Sequence, residues 1–394
     1  METRRDPPRS ADLVVIGGGV VGAATAFHAA RAGLSPVLVE ARPALCTLTT
    51  PVATGAFRLQ FDNREELELV RESVELFLRF ADVTGQRAHD PGVRQQGYLF
   101  VTTEPERAER QRELEERQRG WGLDDVELLG GDEVRRRFGY VGPEVLQARY
   151  RGGDGFLDPR QLTLGFAAAS GAMVVVDTPV TGFRIEGGRL TAVTTIRGPV
   201  ATERAVIACG PLTGPVAAFA GVELPIETVV RHKLVLPDAP EVPADAPMTI
   251  DDDTGTHWRP FLAGAAVLRT DPATLPSPPA EDVTPDHRFA FEVMDPQSPH
   301  AAARVARFWR EVWERGATWV LQAGQYDMTP DHRPLIGPTP VEGLSVNAGY
   351  SGHGVMASPA GSRILVEVLT GRIGPEANPF RLDRTFERRE HDTL

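Results

Sequence analysis

Apolar residues near the start of the chain form two short blocks with a helical segment between them. Residues 13–16 and 36–40 are mainly apolar and have the length of buried strands, and the Ala-rich residues 23–32 have the composition of a helix. Gly33 stands where that helix would end. The pattern predicts a βαβ unit whose second strand ends in an acid.

The rest of the chain continues this mixture of helical spacing and short strands. Helical spacing predicts helices at residues 65–80, 105–119, 131–138, 160–169 and 298–315. Apolar runs predict strands at residues 97–103, 174–176, 183–185, 191–196, 204–208 and 228–236, with two or three more between 248 and 268. Residues 1–10 are charged and rich in proline, and we expect them to be disordered. The whole pattern predicts an α/β protein.

Three glycines lie between the first strand and the first helix. Gly17, Gly19 and Gly22 have the spacing G-x-G-x-x-G, and Glu40 ends the second strand. In this context the glycines allow a tight turn, a close approach of pyrophosphate and close helix–strand packing, while the acid accepts hydrogen bonds from a ribose diol. The order of elements predicts a dinucleotide site. The alternative is an ordinary βαβ unit with a glycine-rich turn.

Length and composition narrow the class of protein. The chain has 394 residues, which suits two domains, and a formal net charge of −12, which argues against a nucleic-acid partner. No apolar run has the length of a membrane span. Cys46 and Cys209 suit a reducing compartment, and without clustered histidines or cysteines we expect no metal site. We therefore expect a cytoplasmic protein.

A second strand–loop–helix pattern lies near the C-terminal end. Residues 344–348 predict a strand, residues 349–354 a glycine-rich loop and residues 355–370 a helix. The segment AGQYDMTPDHRPLIGP at residues 323–338 precedes them. The N-terminal end of such a helix stabilises negative charge, so it suits an electron-rich ligand group.

Four stretches together resemble the FAD-dependent D-amino-acid oxidase, glycine oxidase and sarcosine oxidase superfamily, most closely the beta-subunit-type sarcosine oxidases and proline dehydrogenases. They are VVIGGGVVGAATAFHAARAG, GAFRLQF, AGQYDMTPDHRPLIGP and AGYSGHGVMASPAG. The resemblance implies an α/β fold in which a Rossmann-type FAD-binding domain is interleaved with a substrate domain built on a mostly antiparallel sheet. We expect the first at residues 10–85, 153–224 and 321–380, and the second at residues 86–152 and 225–320.

The resemblance also implies a set of cofactor-binding residues. They are Gly17, Gly19, Gly22, Glu40, Arg42, Gly55, Arg58, Val180, Cys209, Gly210, Gly324, Gly352, His353, Gly354 and Met356. Many sarcosine oxidases attach the flavin through a cysteine two residues before a tyrosine in the third stretch. The matching position here is Gly324, so we expect non-covalent FAD.

The substrate site is expected between the sheet and the flavin. A guanidinium suits a carboxylate, and the first candidate is Arg58, whose rival role is contact with the flavin. Arg259 is the second candidate, with a surface salt bridge as the alternative. Tyr326 and His257 are expected to close the pocket, although a plain polar role at a strand end is the alternative for His257.

The family resemblance implies oxidation of a C–N bond by hydride transfer to flavin N5, giving an imine that water hydrolyses. The expected substrate is a secondary amine or amino acid, such as an N-methyl amino acid or proline. The electron acceptor is oxygen or a protein or quinone partner. Relatives have one lysine where this chain has Met356 and a second near the position of Leu268 or Arg269. Neither lysine is present here, and Lys233 is the only lysine in the chain.

Two other functions are compatible with the sequence. One is the catalytic subunit of a hetero-oligomeric amino-acid dehydrogenase that passes electrons to a partner. The other is a tailoring flavoenzyme for a bulkier metabolite. The sequence is compatible with a homo-oligomer or a hetero-oligomer. We expect no nucleic-acid partner and no membrane span.

Overall fold

A computed structural model describes residues 2–387, which form ten α-helices and twenty strands. Seven strands make the first sheet, in the order β1-β9-β3-β2-β13-β20-β19. All neighbours in it are parallel except β19, which runs antiparallel to β20. Its strands are β1 (Thr3–Arg4), β2 (Leu13–Ile16), β3 (Pro36–Val39), β9 (Met173–Val175), β13 (Ala205–Ile207), β19 (Leu335–Pro338) and β20 (Leu344–Ala348).

A second sheet has eight strands in the order β18-β14-β17-β16-β15-β5-β7-β6. Its neighbours are antiparallel except for the parallel pair β15 and β5. Its strands are β5 (Tyr98–Thr102), β6 (Glu127–Gly130), β7 (Gln147–Arg151), β14 (Glu227–Leu236), β15 (Met248–Asp251), β16 (Thr256–Phe261), β17 (Gly264–Arg269) and β18 (Val320–Met328). This architecture confirms the predicted fold class, an α/β protein with a mostly antiparallel second sheet.

The remaining strands form two small sheets, and the helices cover the larger ones. The small sheets are β10 (Val180–Glu186), β11 (Arg189–Thr195) and β12 (Gly198–Ala201), and the pair β4 (Ala56–Phe57) and β8 (Gly155–Phe156). The helices are α1 (Val20–Arg31), α2 (Arg64–Leu78), α3 (Phe80–Thr84), α4 (Pro105–Gly120), α5 (Gly131–Arg137), α6 (Pro159–Ala169), α7 (Thr213–Ala218), α8 (Arg288–Met294), α9 (Phe308–Glu314) and α10 (Gly354–Leu369).

Packing on both sides of the first sheet explains why its strands are apolar throughout. The helices α1, α2, α6 and α10 form a core with one face of the sheet, and β10–β12 pack against the other. The second sheet places one face against α8 and α9 in an aromatic core that includes Trp258 and Trp309. Its opposite face is directed toward residues 49–61.

Two predicted elements were wrong. Residues 3–4 are not disordered but pair with β9, because the backbone of Arg4 continues the edge of the first sheet. The expected long helix at 298–315 is shorter: residues 302–304 form a 3₁₀ turn and α9 begins only at Phe308. Pro299 lacks an N–H, and the chain from 301 to 306 is buried in a short irregular connection.

The two sheets are compatible with the predicted division into a cofactor and a substrate domain, whose boundaries remain a prediction. β18 hydrogen-bonds to β14 within the second sheet, and β19 and β20 belong to the first. Within residues 2–387, no helix combines the length and apolar character that a membrane crossing requires.

Candidate active site

The glycine-rich turn joins β2 to α1. Gly17 has a φ of +112°, and a Cβ there would lie 2.3 Å from the carbonyl oxygen of Ala208. A Cβ on Gly22 would lie 1.8 Å from the carbonyl oxygen of Gly17. Strand, turn and helix can meet this closely only because these residues lack side chains. Gly19 precedes α1 with extended backbone and has no side chain to cap the helix, although the hydroxyl of Thr50 accepts from the N–H of Val20 (3.3 Å). A helix N-terminus of this kind suits a phosphate.

Glu40 lies over this turn at the end of β3. One carboxylate oxygen accepts a hydrogen bond from the backbone N–H of Gly18 (2.6 Å), and the other accepts from the backbone N–H of Arg42 (2.8 Å). Each oxygen keeps a lone pair for a ribose hydroxyl. Burial raises the pKa of Glu40, and these hydrogen bonds oppose that rise. The guanidinium of Arg42 points elsewhere and donates to the carbonyl oxygen of Glu281 (3.0 Å).

The residues expected beside the pyrophosphate and adenine come from two further strands. Cys209 follows β13, and its Sγ lies 3.3 Å from the carbonyl oxygen of Ile16. Burial raises the pKa of this thiol to about 12, so it stays protonated. Gly210, with a φ of +53°, begins the 3₁₀ turn Gly210–Leu212 that follows β13. Val180 starts β10 and is half-buried against the face of the first sheet that β10–β12 cover.

Residues 49–58, here called the crossing segment, run from the glycine-rich turn to the second sheet. Its Gly55 has a φ of +71°, and a Cβ there would lie 2.1 Å from the carbonyl oxygen of Leu157. Gly324 on β18 faces the segment, with its Cβ position 3.5 Å from Val52. The crossing segment therefore brings the predicted residues Gly55, Arg58 and Gly324 to one side of the second sheet.

The loop before α10 meets this region from the first sheet. Gly352 has a φ of +95°, and a Cβ there would lie 2.6 Å from the ring of Tyr326. The Nδ1 of His353 lies 3.0 Å from a carboxylate oxygen of Glu66 on α2. Gly354 opens α10, and Met356 is buried in its first turn. The structure thus joins the glycine-rich loop at residues 349–354, which is predicted to line the flavin, to the predicted substrate-site residue Tyr326.

One face of the second sheet, here called the inner face, is directed toward the crossing segment. Residues that pair directly across neighbouring strands share a face. Lys233, Leu268, His257, Ile250, Phe100 and Arg149 lie in one such row across six strands. The inner face presents the side chains of Tyr98, Phe100, Arg149, Arg231, Lys233, His257, Arg259 and Tyr326.

Two cations of the inner face hold the crossing segment. The Nζ of Lys233 donates to the carbonyl oxygen of Pro51 (2.9 Å), and the Nε of Arg259 donates to the carbonyl oxygen of Thr54 (2.7 Å). Burial lowers the pKa of Lys233 to about 8 and that of Arg259 to about 10. Arg259 is buried between aromatic rings, so the alternative of a surface salt bridge is wrong.

Arg58 extends from the crossing segment into a ring of aromatic side chains. Its guanidinium carbon lies 4.9 Å from the ring centre of Phe61, 5.7 Å from that of Phe100 and 5.8 Å from that of Tyr98. The side chain is buried and hydrogen-bonds to Tyr98. Its positive charge also lowers the pKa values of His257 and Tyr326, although burial has the larger effect on each. Arg58, His257 and Tyr326, predicted from distant parts of the sequence, therefore lie together.

Three polar side chains near Arg58, those of His257, Tyr98 and Tyr326, are neutral near pH 7. Burial lowers the pKa of His257 to about 4, and its Nδ1 lies 2.8 Å from the carbonyl oxygen of Gly255. Burial raises the pKa values of Tyr98 and Tyr326. These three side chains can orient a ligand through hydrogen bonds without adding charge.

Several residues of the site were missed by sequence reasoning. Arg231 lies beside Tyr326, with 5.7 Å from its guanidinium carbon to the ring centre, and donates to Thr274 (2.5 Å). Its spacing of two residues from Lys233 on a predicted strand was an available signal, since both then share a face. Asp327 accepts from the N–H of Gly349 (2.6 Å) and thereby anchors the glycine-rich loop at residues 349–354. Tyr98, Glu66 and Arg149 gave no local signal.

Comparison with families of known proteins matches residues 12–368 to the DAO family, described as FAD dependent oxidoreductase. The chain belongs to this family of FAD-dependent oxidoreductases. The family expected from the sequence is thereby confirmed, and the protein is an enzyme that uses FAD.

Two relatives of known name match nearly the whole chain at low sequence identity. The chain is 28% identical over 416 residues to FAD-dependent oxidoreductase domain-containing protein 1 of Xenopus laevis, covering 92% of this chain and 80% of the relative. It is 27% identical to the mitochondrial sarcosine dehydrogenase of Mus musculus, covering 98% of this chain but 42% of that protein. The chain therefore spans less than half the length of that relative.

Two solved structures share the fold of nearly the whole chain. The L-proline dehydrogenase from P. horikoshii superposes with a TM-score of 0.82 at 25% identity, covering 96% of each chain. The glycine oxidase from Geobacillus kaustophilus gives the same TM-score at 23% identity, covering 96% of this chain and all of that one. At 23% identity, the similarity to glycine oxidase shows a shared fold and nothing more.

The residues of this site fit FAD. The glycine-rich turn leaves room for a pyrophosphate, because a Cβ at Gly17 or Gly22 would close it. Glu40 is held with free lone pairs for the ribose. Gly352 lies in the loop just before α10, where backbone groups and a helix N-terminus meet Tyr326 of the inner face.

Proposed function

We propose that this enzyme oxidises the C–N bond of a secondary amine or amino acid, such as an N-methyl amino acid or a proline-like compound. Sarcosine dehydrogenase and L-proline dehydrogenase are the relatives whose names support this class. The product is an imine, which water hydrolyses to an amine and a carbonyl compound.

The buried guanidinium of Arg58 is the observation that carries the proposal. It lies among Phe61, Tyr98 and Phe100, where a substrate carboxylate would be shielded from water. A charge-assisted, bidentate hydrogen bond is strong in such surroundings. Arg58 thus fixes the carboxylate, and the aromatic rings bound the space for the carbon atoms.

The neutral groups of the site favour a neutral substrate amine. His257 with a pKa of about 4 is uncharged near pH 7, and it can accept a hydrogen bond at the nitrogen that does not face Gly255. Bound FAD supplies a hydride acceptor. The protein residues orient the substrate C–H, keep water out until the imine forms and require no strong base if the amine binds unprotonated.

Anaerobic bleaching of the visible flavin band tests the proposal. Purified holoenzyme is mixed with sarcosine, longer N-methyl amino acids, proline, glycine and D-amino acids, and air is then admitted. Bleaching by a secondary amino acid is the expected result. If the flavin is bound and none of the panel bleaches it, the proposal is wrong and a bulkier substrate is favoured.

Two further features belong to the proposal. We propose that FAD is held without a covalent bond, which is supported by the buried thiols of Cys46 and Cys209, whose pKa values rise to about 11 and about 12. Precipitation with acid should release all flavin into the supernatant. The rate of reoxidation in air then distinguishes oxygen from a protein or quinone as the electron acceptor.

A further inference from the structure

Arg149 on β7 is a buried cation that the proposed reaction does not use. Its side chain is fully buried, with 0% exposure. None of its three guanidinium nitrogens has a hydrogen-bond partner within the described part of the chain. A guanidinium carries five N–H donors in a planar fork, and burial of such a group without partners is strongly unfavourable. The arrangement is therefore incomplete without a ligand or solvent.

The charge of Arg149 is balanced only by carboxylates at longer distances. Among residues 2–387, no carboxylate oxygen lies within 4.0 Å of its nitrogens. The carboxylates of Asp252, Asp154 and Asp62 attract it from longer distances. Asp252 already accepts from Gln111 (2.9 Å), and Asp154 pairs with Arg151. Burial lowers the pKa of Arg149 to about 10, which leaves it charged near pH 7.

Three other inner-face cations have no carboxylate within 4.0 Å among residues 2–387, whereas Arg151 at the end of β7 pairs with Asp125 and Asp154. Lys233 and Arg259 donate to backbone carbonyls, and Arg231 donates to a threonine hydroxyl. The chain as a whole carries a net charge of −12, so this concentration of positive charge is not a result of composition. A site with these properties attracts anions.

Arg149 lies beside the proposed carboxylate site. It pairs directly with Phe100 across the sheet, and its guanidinium carbon lies 4.8 Å from the centre of that ring. The guanidinium carbon of Arg58 lies 5.7 Å from the same ring centre. Phe100 therefore contacts two buried guanidinium groups, one from the crossing segment and one from the sheet.

We propose that the substrate carries a second carboxylate and that Arg149 binds it, while Arg58 binds the first. The substrate class is then an acidic secondary amino acid, such as an N-methyl or N-carboxyalkyl amino acid with two carboxylates. The inference rests on the proposed oxidation of a secondary amino acid. The planar fork of Arg149 suits bidentate binding of a carboxylate, and Phe100 spaces the two charged ends.

A matched pair of substrates tests the inference on the unmodified holoenzyme. N-methylglutamate and N-methylglutamine have nearly the same shape and differ in the charge at the far end. We expect the acid to bleach the flavin at concentrations about 10- to 100-fold lower than the amide. Equal bleaching by both overturns the inference, because water then satisfies Arg149, and leaves the proposed function standing. Bleaching by no secondary amino acid overturns the proposed function itself.

A variant assigns the preference to Arg149. Arg149→Met should raise the concentration of N-methylglutamate that is needed about 10- to 100-fold, with the response to N-methylglutamine changed less than about 3-fold. Arg137→Met is the matched control, since its guanidinium also stacks on a β7 residue, 4.4 Å from the ring centre of Tyr150, on the opposite face of the sheet. A retained preference in Arg149→Met overturns the inference.

A binding measurement keeps the test independent of folding of the variant. Glutarate and butyrate, which differ by one carboxylate, are titrated into the unmodified holoenzyme, and the flavin difference spectrum is followed. Glutarate should bind at least about 10-fold more tightly than butyrate. Equal affinities contradict a second carboxylate site whatever the variant does.

Discussion

The glycine-rich turn and the inner face are built for ligands by opposite means. The turn offers backbone N–H groups and absent side chains: Gly17 and Gly22 contact the neighbouring backbone where no Cβ fits. The inner face offers side chains, including the buried cations Arg149 and Arg259, from strands far apart in the sequence. The turn is therefore sensitive to adding one atom, whereas the inner face is sensitive to charge and polarity.

The first way to test this contrast is to add a single carbon to the turn. Gly22→Ala places a Cβ 1.8 Å from the carbonyl oxygen of Gly17, so β2 and α1 must separate. We expect a loss of about 3 kcal/mol or more in the free energy of unfolding, and no retained flavin. Gly182→Ala is the control, because its Cβ position has no neighbour within 4 Å. Flavin absorbance and chemical unfolding measure both effects, and a stable flavin-bound Gly22→Ala contradicts the argument.

Removing one charge from the site should leave the turn intact and damage only substrate use. Arg58→Met keeps the buried volume but removes the guanidinium between Phe61 and Tyr98. We expect bound flavin and a loss of about 100-fold in the apparent second-order rate of anaerobic bleaching, or about 3 kcal/mol. The control is Arg64→Met, whose guanidinium is exposed and pairs with Glu68. An equal loss in both variants would contradict the assignment.

Acid should affect both regions, because α1, which follows the turn, and the inner face each carry a buried histidine. Burial lowers the pKa of His28 on α1 and of His257 on the inner face to about 4. The unfolded chain binds these protons near pH 6.5, so stability falls as the pH decreases from 6.5 toward 4 and is regained as the pH rises. From pH 7 to pH 5 we expect a loss of about 2 kcal/mol for each histidine.

Substitution separates the two histidines. His28→Gln and His257→Gln should each remove about half of the histidine-dependent loss of stability between pH 7 and pH 5, measured by urea unfolding. If one variant keeps the full acid sensitivity of the unmodified protein, that histidine is not neutral in the folded state.

The smallest effect is expected at Lys233. Its ammonium is buried and donates to the carbonyl oxygen of Pro51, and its pKa is about 8. Lys233→Met removes the cost of burying a charge together with this hydrogen bond, so the free energy of unfolding at pH 7 should change by no more than about 1 kcal/mol. The unmodified protein should gain stability relative to the variant from pH 8 to pH 10, since lysine is then neutral only when folded. A loss above about 2 kcal/mol would show that the hydrogen bond dominates.

Local patterns predicted the turn well and the inner face poorly. The strand before Gly17, the helix after Gly22 and the acid Glu40 follow one another within 29 residues, so short-range rules place them together. Arg58, His257 and Tyr326 were expected at one site through a family resemblance, and the structure brings them together. Arg149 and Tyr98 were missed, because a residue on a strand carries no local sign of which strands flank it.

The helix expected at 298–315 shows the same limit. Its apolar spacing was genuine, but Phe308 and Trp309 are buried through a short helix that packs on Trp258 from another strand. Tertiary packing thus decided how much of the periodic segment became helical.

The sequence by itself determined the nucleotide-binding turn and the class of fold, since a glycine-rich turn between a strand and a helix acts through backbone groups only a few residues apart. Only the tertiary structure decided the composition of the inner face. Six strands from residues 98 to 269 align Lys233, His257, Phe100 and Arg149 in one row, and that register depends on strand pairings over long sequence separations. Burial in this row lowers the pKa of His257 to about 4, which makes it neutral near pH 7, whereas Lys233 and Arg149 stay charged.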